Sequence, residues 1–217
     1  MTGRSAFPAL LWLTLLAGCG GAPASDPFTK TGELIALSGG DAGAANACFT
    51  CHGLDGRGDG AGAPRLAALD VGYLNRQLDD YTLGRRRHAP MQEIAKRLTP
   101  EGRQQVSAYY AAMRFEAVPA PVPASALYTE GDPARGLAPC ATCHGRSGEG
   151  AGPGNPALGG QPELYLAEQM RLWQQGERRN DPDNLMQRIA AKLSEAEIRS
   201  VAAHASALPG TRPAPRE

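Results

Sequence analysis

Two copies of a five-residue pattern, Cys-x-x-Cys-His, have the clearest chemistry in this sequence. The copies occupy residues 48–52 and 140–144. Two thiols one helical turn apart can form thioethers with the two vinyl groups of a porphyrin, and the adjoining histidine can ligate its iron. A dithiol redox pair or half of a zinc site also contains Cys-x-x-Cys, but neither requires a histidine directly after the second cysteine. The repeated pattern therefore predicts two covalently bound haem c groups with their iron.

Each pattern gives one haem its attachment points and its first iron ligand. The residues predicted to bind the haems are Cys48, Cys51, His52, Cys140, Cys143 and His144. His52 and His144 are the predicted proximal ligands of the two irons. The fifth cysteine of the chain, Cys19, ends an N-terminal apolar run. No cysteine is therefore left for a disulfide.

An internal duplication extends well beyond the two pentapeptides. The pattern Tyr-Leu-x-x-Gln at 73–77 recurs at 165–169, separated by the same interval as Cys48 and Cys140. The pattern Met-x-x-Ile-Ala-x-x-Leu at 91–98 recurs at 186–193, with three additional residues in the loop before it. A repeat on this scale predicts two similar domains. We place them at 32–117 and 127–209, joined by a Pro-rich linker at 118–126.

Local patterns predict the elements that position these residues. The Ala-rich segment before Cys48 predicts a helix from about Asp41 into the first attachment pair. Glycine-rich loops follow His52 and His144, and each has a proline 12 residues after the histidine. A final helix is predicted to close each half, the first from Thr99 to about Phe115. The second begins at the capping box formed by Ser194 with Glu197 and runs to about Leu208.

In each half, a helix enters Cys-x-x-Cys-His, a glycine loop with a proline follows, and an isolated methionine precedes a closing helix. This order resembles class I cytochromes c, and two such halves resemble the dihaem cytochrome c4 family over roughly residues 39–208. The resemblance implies an all-α fold of two tandem class I domains, each a few short helices wrapped round one haem. It implies Met91 and Met186 as the sixth iron ligands. It also implies that the carbonyls of Pro64 and Pro156 accept the ring N–H of the ligating histidines.

Several other residues leave alternatives open. Met113 and Met170 are matched by Leu208 and Leu78 in the other half, so we predict core positions for both. His88 is a rival ligand for the first iron. His204 stands where the first half has Tyr109, which predicts looser packing round the second haem.

Arginines precede both methionines, at 85–87 and 178–179. Arg86 and Arg178 are candidates for pairing with haem propionates, because a guanidinium matches a carboxylate in charge and shape. A solvated loop or a docking patch explains the same arginines equally well. Both interpretations stay open on the sequence alone.

The N-terminus predicts export and a lipid anchor. Residues 1–18 have the form of a secretory signal, and Leu16-Ala17-Gly18-Cys19 resembles a bacterial lipobox with lipidation at Cys19. An ordinary signal peptide cleaved nearby is the alternative. Residues 19–31 are expected to be a flexible tether, and 210–217 a disordered tail. We therefore expect a protein in the periplasm, lipid-anchored to a bacterial membrane through Cys19.

Balanced charge, with 22 acidic and 22 basic residues, does not indicate a nucleic-acid partner. The resemblance implies an electron carrier without catalytic residues. We expect it to take electrons from a quinol-oxidising complex and to give them to a terminal oxidase or another reductase. A dihaem enzyme of the peroxidase or thiosulfate-oxidising type is the alternative, as is a haem subunit of a larger complex.

Overall fold

The structure is a computed structural model of the chain, and it describes residues 27–118 and 120–210. In these two ranges the regular secondary structure is helical, without any strand, and only three isolated β-bridges occur. The predicted all-α fold is therefore confirmed. The predicted signal at 1–18, Cys19, most of the tether and nearly all of the C-terminal tail lie outside the described residues.

The first half is built round its closing helix. Its helices are α1 (Pro27–Ser38), α2 (Phe49–His52), α3 (Val71–Thr82), α4 (Ala89–Arg97) and α5 (Pro100–Ala112). α5 packs against α1 and α3, and α4 packs against α3. The buried apolar residues between them include Ala36, Leu74, Leu98, Val106 and Tyr110.

The second half repeats this arrangement with a much shorter first helix. Its helices are α6 (Ala126–Thr129), α7 (Ala141–His144), α8 (Glu163–Gln174), α9 (Leu185–Ala190) and α10 (Glu195–Ala207). α10 packs against α8 and α6, and α9 packs against α8. The core of this half includes Tyr128, Leu166, Leu193, Ile198 and Ala205.

The predicted closing helices are present, with their predicted caps. Thr99 accepts the amide of Gly102 at the start of α5, and Ser194 forms a complete capping box with Glu197 at the start of α10. Met113 and Met170 are partly buried against the two cores, as predicted. Their side chains therefore serve packing.

The prediction of one continuous helix from Asp41 into Cys48 is wrong. This segment forms two short 3₁₀ turns, Gly40–Ala42 and Ala44–Asn46. Gly39, Gly40 and Gly43 have φ values of 81°, 50° and 85°, which break a right-handed α-helix. The helix of this region lies earlier, because α1 begins at Pro27 and its last residues precede these glycines.

The predicted tether at 19–31 therefore ends sooner than expected. Proline at the first helical position costs no hydrogen bond, since that amide has no partner inside the helix. The docking of α1 on α5 then stabilises a helix that the sequence indicates only weakly, at residues 33–37. The tether prediction applies at most to residues before Pro27, which lie outside the described residues.

Candidate haem sites and the boundary between the halves

The histidine of each Cys-x-x-Cys-His pattern is buried and held by a carbonyl. The ring Nδ1 of His52 lies 2.9 Å from the oxygen of Pro64, and Nδ1 of His144 lies 2.9 Å from the oxygen of Pro156. Burial lowers the pKa of both rings, and the carbonyl contacts oppose this only in part. Both rings are therefore neutral near pH 7, which is the form that ligates iron. Nδ1–H then donates to the carbonyl, and Nε2 is left for a metal.

The loops that carry these carbonyls repeat their backbone hydrogen bonds. The amide of Gly58 donates to the carbonyl of His52 at 2.8 Å, and Gly150 donates to His144 at the same distance. Further along, Leu66 donates to Gly56 and Leu158 donates to Gly148. The duplication seen in the sequence is thus a duplication of geometry.

The cysteines suit thioether formation better than thiolate chemistry. Cys48 and Cys140 are half-buried, and Cys51 and Cys143 are exposed. Burial raises the pKa of Cys48 and of Cys140 to about 11. Redox-active and metal-binding cysteines have the opposite shift, because the thiolate must be stabilised. Within the described residues, no cluster of three or more His, Cys, Asp and Glu side chains could hold a metal on its own.

The two predicted methionine ligands lie inside short helices, whereas the sequence placed them immediately before a helix. Met91 is the third residue of α4 and Met186 is the second residue of α9. Their backbone amides are capped by different side chains. Met91 N–H donates to Nδ1 of His88 at 3.4 Å, and Met186 N–H donates to the carboxylate of Asp181 at 2.6 Å. His88 thus has a structural role as the cap of α4, and ligation by Met91 and Met186 stays a prediction.

A buried tyrosine from another helix fills the core of the second half, whose closing helix has His204-Ala205 where the first half has Tyr109-Tyr110. Tyr128 follows Ala36 at the interval of the duplication and is fully buried, and its hydroxyl donates to the carbonyl of Gly145 at 2.9 Å. The first half has its tyrosine on the closing helix instead, where Tyr110 matches Ala205. Besides the tyrosine of the Tyr-Leu-x-x-Gln pattern, each core therefore contains one further buried tyrosine, supplied by a different helix in each half. Tyr128 was not predicted from the sequence, although comparing the duplicated positions would have indicated it.

His204 is also buried, against this tyrosine. Its ring lies 4.6 Å from that of Tyr128, and its Nδ1 is 2.7 Å from the carbonyl of Pro123 in the linker. His204 thus packs closely against the protein itself, and the packing round the second haem stays an expectation.

Arg86 and Arg178 lie at the boundary between the halves and are only 4% exposed each. A solvated loop or docking patch therefore does not describe these two arginines. Arg86 donates to Gln169 and to the hydroxyl of Tyr165 in the second half. The loops that carry the two arginines also form an antiparallel β-bridge between Arg86 and Arg178.

The same contacts recur in the opposite direction. Arg178 donates to Gln77 and to the hydroxyl of Tyr73 in the first half, at 3.2 and 3.4 Å. Each arginine also donates to the glutamine of its own half, Arg86 to Gln77 and Arg178 to Gln169. The boundary is thus nearly symmetric, and each half completes the hydrogen bonding of the other.

All of these acceptors are neutral. In the described part of the chain, neither Arg86 nor Arg178 forms an ion pair with a carboxylate. Two buried positive charges without anions are costly. Nε2 of Gln77 is also buried without a hydrogen-bond partner. The boundary therefore suits the carboxylates of haem propionates, although pairing with Arg86 and Arg178 stays a prediction.

Comparison with known proteins agrees with this geometry. The family model "Cytochrome c" matches residues 38–113 and 132–208, which together exceed half of the chain. The thiosulfate dehydrogenase electron acceptor of Stutzerimonas stutzeri (strain A1501) is 41% identical over 184 residues, covering 79% of this chain and 83% of that protein. The cytochrome c4 of Pseudomonas aeruginosa is 34% identical over 184 residues, covering 80% of this chain and 92% of that protein.

A solved structure of thiosulfate dehydrogenase from Marichromatium purpuratum is similar in fold and sequence. The TM-score is 0.76 at 40% identity, and the match covers 84% of this chain. This chain spans only 40% of the length of that one.

The chain belongs to the cytochrome c family and contains two tandem domains of that family, each with one covalently attached haem c. More particularly, it is a dihaem c-type electron carrier of the cytochrome c4 family.

Proposed function

We propose that this protein is a membrane-tethered periplasmic carrier that takes electrons from a thiosulfate-oxidising dehydrogenase and passes them to a terminal acceptor such as an oxidase. The observation behind the donor is the 41% identity, over most of both chains, to a protein named as the electron acceptor of thiosulfate dehydrogenase. The 40% identity to part of a thiosulfate dehydrogenase structure supports the same donor. This proposal replaces the quinol-oxidising complex that the sequence resemblance favoured.

The haem irons supply one-electron chemistry, which requires no acid, base or nucleophile from the protein. The part played by the chain is to hold the ligands. The carbonyls of Pro64 and Pro156 fix the rings of His52 and His144. Arg86, Arg178 and their glutamine partners hold the two halves in a fixed relation. A rigid, nearly symmetric boundary keeps the two redox sites in one geometry while charge moves between them.

The donor is tested by mixing the oxidised protein with a purified thiosulfate dehydrogenase and thiosulfate, and by following haem reduction spectroscopically. We expect reduction to be much faster than with a single-domain cytochrome c of similar potential. A quinol-oxidising complex with quinol is the matched alternative donor. Reduction by that complex, with none by the dehydrogenase, would overturn the proposed donor.

The acceptor is tested separately, by adding the reduced protein to membranes. Faster oxidation by membranes containing terminal oxidases than by membranes lacking them supports the oxidase. Equal rates in the two preparations would eliminate it.

The membrane tether rests on Leu16-Ala17-Gly18-Cys19, which lies outside the described residues. Among the residues that the structure describes, no helix is long and apolar enough to cross a membrane. Cys19→Ser in the full-length gene product is the direct test. We expect the variant to leave the membrane fraction and the wild-type protein to incorporate labelled fatty acid. Retention of the variant on membranes would show that Cys19 is not the anchor.

An enzyme would need an open or displaceable iron ligand. Each half instead offers a methionine in the first turn of a short helix. We therefore expect the reduced visible spectrum to be unchanged by carbon monoxide, and the ferric protein to show the weak red band of methionine ligation. A shift by carbon monoxide on one haem would indicate a labile site, and peroxide and sulfur substrates would then be the ones to test.

A further inference from the structure

The two halves differ at two positions beside the prolines that hold the histidines. Arg65 follows Pro64 in the first half, whereas Ala157 follows Pro156 in the second. Gln161, five residues after Pro156, has Leu69 as its counterpart in the first half. These departures from the duplication meet at the boundary between the halves.

The side chain of Gln161 forms hydrogen bonds with both the amide and the carbonyl of Arg65. The amide of Arg65 donates to Oε1 of Gln161 at 3.0 Å, and Nε2 of Gln161 donates to the carbonyl of Arg65 at 2.9 Å. Arg65 is completely buried, and Gln161 is 4% exposed. The guanidinium of Arg65 donates to the carbonyl of Gly159 at 2.9 Å and lies 4.1 Å from the ring centre of Phe115. A buried contact of this kind gives the Arg65 backbone one fixed position against the second half.

The amide of Arg65 and the carbonyl of Pro64 belong to the same peptide group. That carbonyl lies 2.9 Å from Nδ1 of His52. We propose that Gln161 of the second half acts through this peptide on His52, and thereby helps to set the reduction potential of the first haem. Gln161 is thus a positioning residue for a redox site in the other half of the molecule. The proposal rests on His52 as the proximal ligand and not on the identity of the donor.

Hydrogen bonds in series polarise one another. When the Arg65 amide donates to Gln161, the Pro64 carbonyl becomes a stronger acceptor for Nδ1–H of His52. A stronger acceptor makes the imidazole a more basic ligand. A more basic ligand stabilises ferric over ferrous iron, so the contact lowers the potential of the first haem.

The second haem has no matching contact. By the duplication, the partner of the Ala157 amide would be Leu69, whose side chain cannot accept a hydrogen bond. Among the described residues, the amide of Ala157 makes no hydrogen bond to a backbone or side-chain acceptor. The influence therefore runs in one direction, from the second half to the first haem, and gives two otherwise similar sites different potentials.

Gln161→Leu tests this proposal, because it installs the residue that the first half has at this position. Spectroelectrochemical titration of the purified dihaem protein measures both potentials without any partner, and Met91→His assigns the component of the first haem. We expect Gln161→Leu to raise the potential of the first haem and to leave that of the second unchanged. An unchanged first potential, or equal shifts in both, would overturn the proposal.

Two further variants separate this effect from simple loosening of the boundary. Gln161→Glu keeps an acceptor for the Arg65 amide and strengthens it, while losing the donor to the Arg65 carbonyl. The stronger hydrogen bond and the added negative charge both favour ferric iron, so the first potential should shift downwards, opposite to Gln161→Leu. Shifts of the first potential with the same sign in Gln161→Leu and Gln161→Glu would mean that only the packing had changed.

Arg76→Ala is the control for the boundary itself. Arg76 donates to the carbonyl of Pro153 across the boundary at 2.7 Å but does not touch the Pro64 peptide. We expect this variant to leave the first potential unchanged. Because no dehydrogenase or oxidase is present in these titrations, their outcome is independent of the donor and acceptor proposed above.

Discussion

At the scale of single residues, the two halves perform the same tasks with different side chains. The helix that carries the methionine is capped by His88 in the first half and by Asp181 in the second. Each core has a buried tyrosine in the Tyr-Leu-x-x-Gln pattern, and its second buried tyrosine comes from α5 in the first half and from α6 in the second. What the duplication keeps is therefore the set of contacts round each haem loop, rather than the residue that makes each contact.

The tyrosine exchange gives a prediction about stability. Tyr128→Phe removes the hydroxyl that donates to Gly145 and should cost about 1 kcal/mol in the free energy of unfolding. Tyr128→Ala also leaves a cavity in the second core and should cost about 3–5 kcal/mol. Denaturant unfolding of the haem-loaded protein measures both. Tyr109→Phe on α5 is the control, since this ring is only partly buried, and an equal loss there would contradict a special role for Tyr128.

Residues with local chemistry could be predicted from the sequence, and those defined by tertiary contacts could not. The resemblance to class I cytochromes c indicated the carbonyls of Pro64 and Pro156, and the match could be made because loop, histidine and proline are close in sequence. Arg86 and Arg178 looked like either a site or a solvated loop, because their burial depends on contacts 79 to 105 residues away. No local pattern contains that information.

At the scale of elements, caps were predictable and helix starts that depend on packing were not. The capping box at Ser194 and the Thr99 cap fixed the starts of α10 and α5 from a few neighbouring residues. The start of α1 at Pro27 depends on α5, more than 60 residues later in the chain. The segment before Cys48 has helix-forming alanines, but its glycines with positive φ outweigh them.

The contact between α1 and α5 predicts a strong effect of one methyl group. A Cβ on Gly32 would lie 2.0 Å from the carbonyl oxygen of Gln105, so the two helices would have to separate. Gly32→Ala should therefore destabilise the first half by about 1–3 kcal/mol, measured by thermal unfolding. Gly62→Ala is the matched control, because a Cβ there meets no atom within 4 Å. Equal melting temperatures for Gly32→Ala and the wild type would show that α1 does not pack closely on α5.

The capping box of α10 predicts that the stability of the fold depends on pH in the acid range. Hydrogen bonds from Arg135 and then from Ser194 lower the pKa of Glu197 from 4.5 to about 2. Because the folded pKa lies below the unfolded value, the charged carboxylate stabilises the fold above about pH 4.5. That stability is lost as the pH falls from 4.5 towards 2.

Glu197→Gln should remove this dependence. We expect its denaturation midpoint to lie below that of the wild type at pH 6 and to meet it near pH 2. Glu163→Gln, in the first turn of α8, makes the same change of charge where the described residues form no ion pair. A constant difference between Glu197→Gln and the wild type at every pH would exclude the carboxylate as the cause.

At the scale of the whole molecule, the boundary is a polar interior shared by the two halves. Arg86 and Arg178 are each completed by a glutamine and a tyrosine of the opposite half. Asn180 also reaches from the second half to Gln77 and Asp80 of the first. These buried hydrogen bonds form only when both halves are folded and docked, so docking and folding are coupled.

This coupling predicts one cooperative unfolding transition for the haem-loaded protein. Arg178→Ala leaves the acceptors Gln169, Gln77 and the Tyr73 hydroxyl without this donor, which should cost about 3 kcal/mol at the boundary. We therefore expect differential scanning calorimetry to resolve two transitions in this variant, one for each half. Arg199→Ala is the control, because among the described residues this exposed arginine pairs only with Glu195 on its own helix and contributes little. Two transitions already present in the wild type would mean that the halves are not coupled. A single transition retained in Arg178→Ala would mean that the coupling does not depend on this arginine.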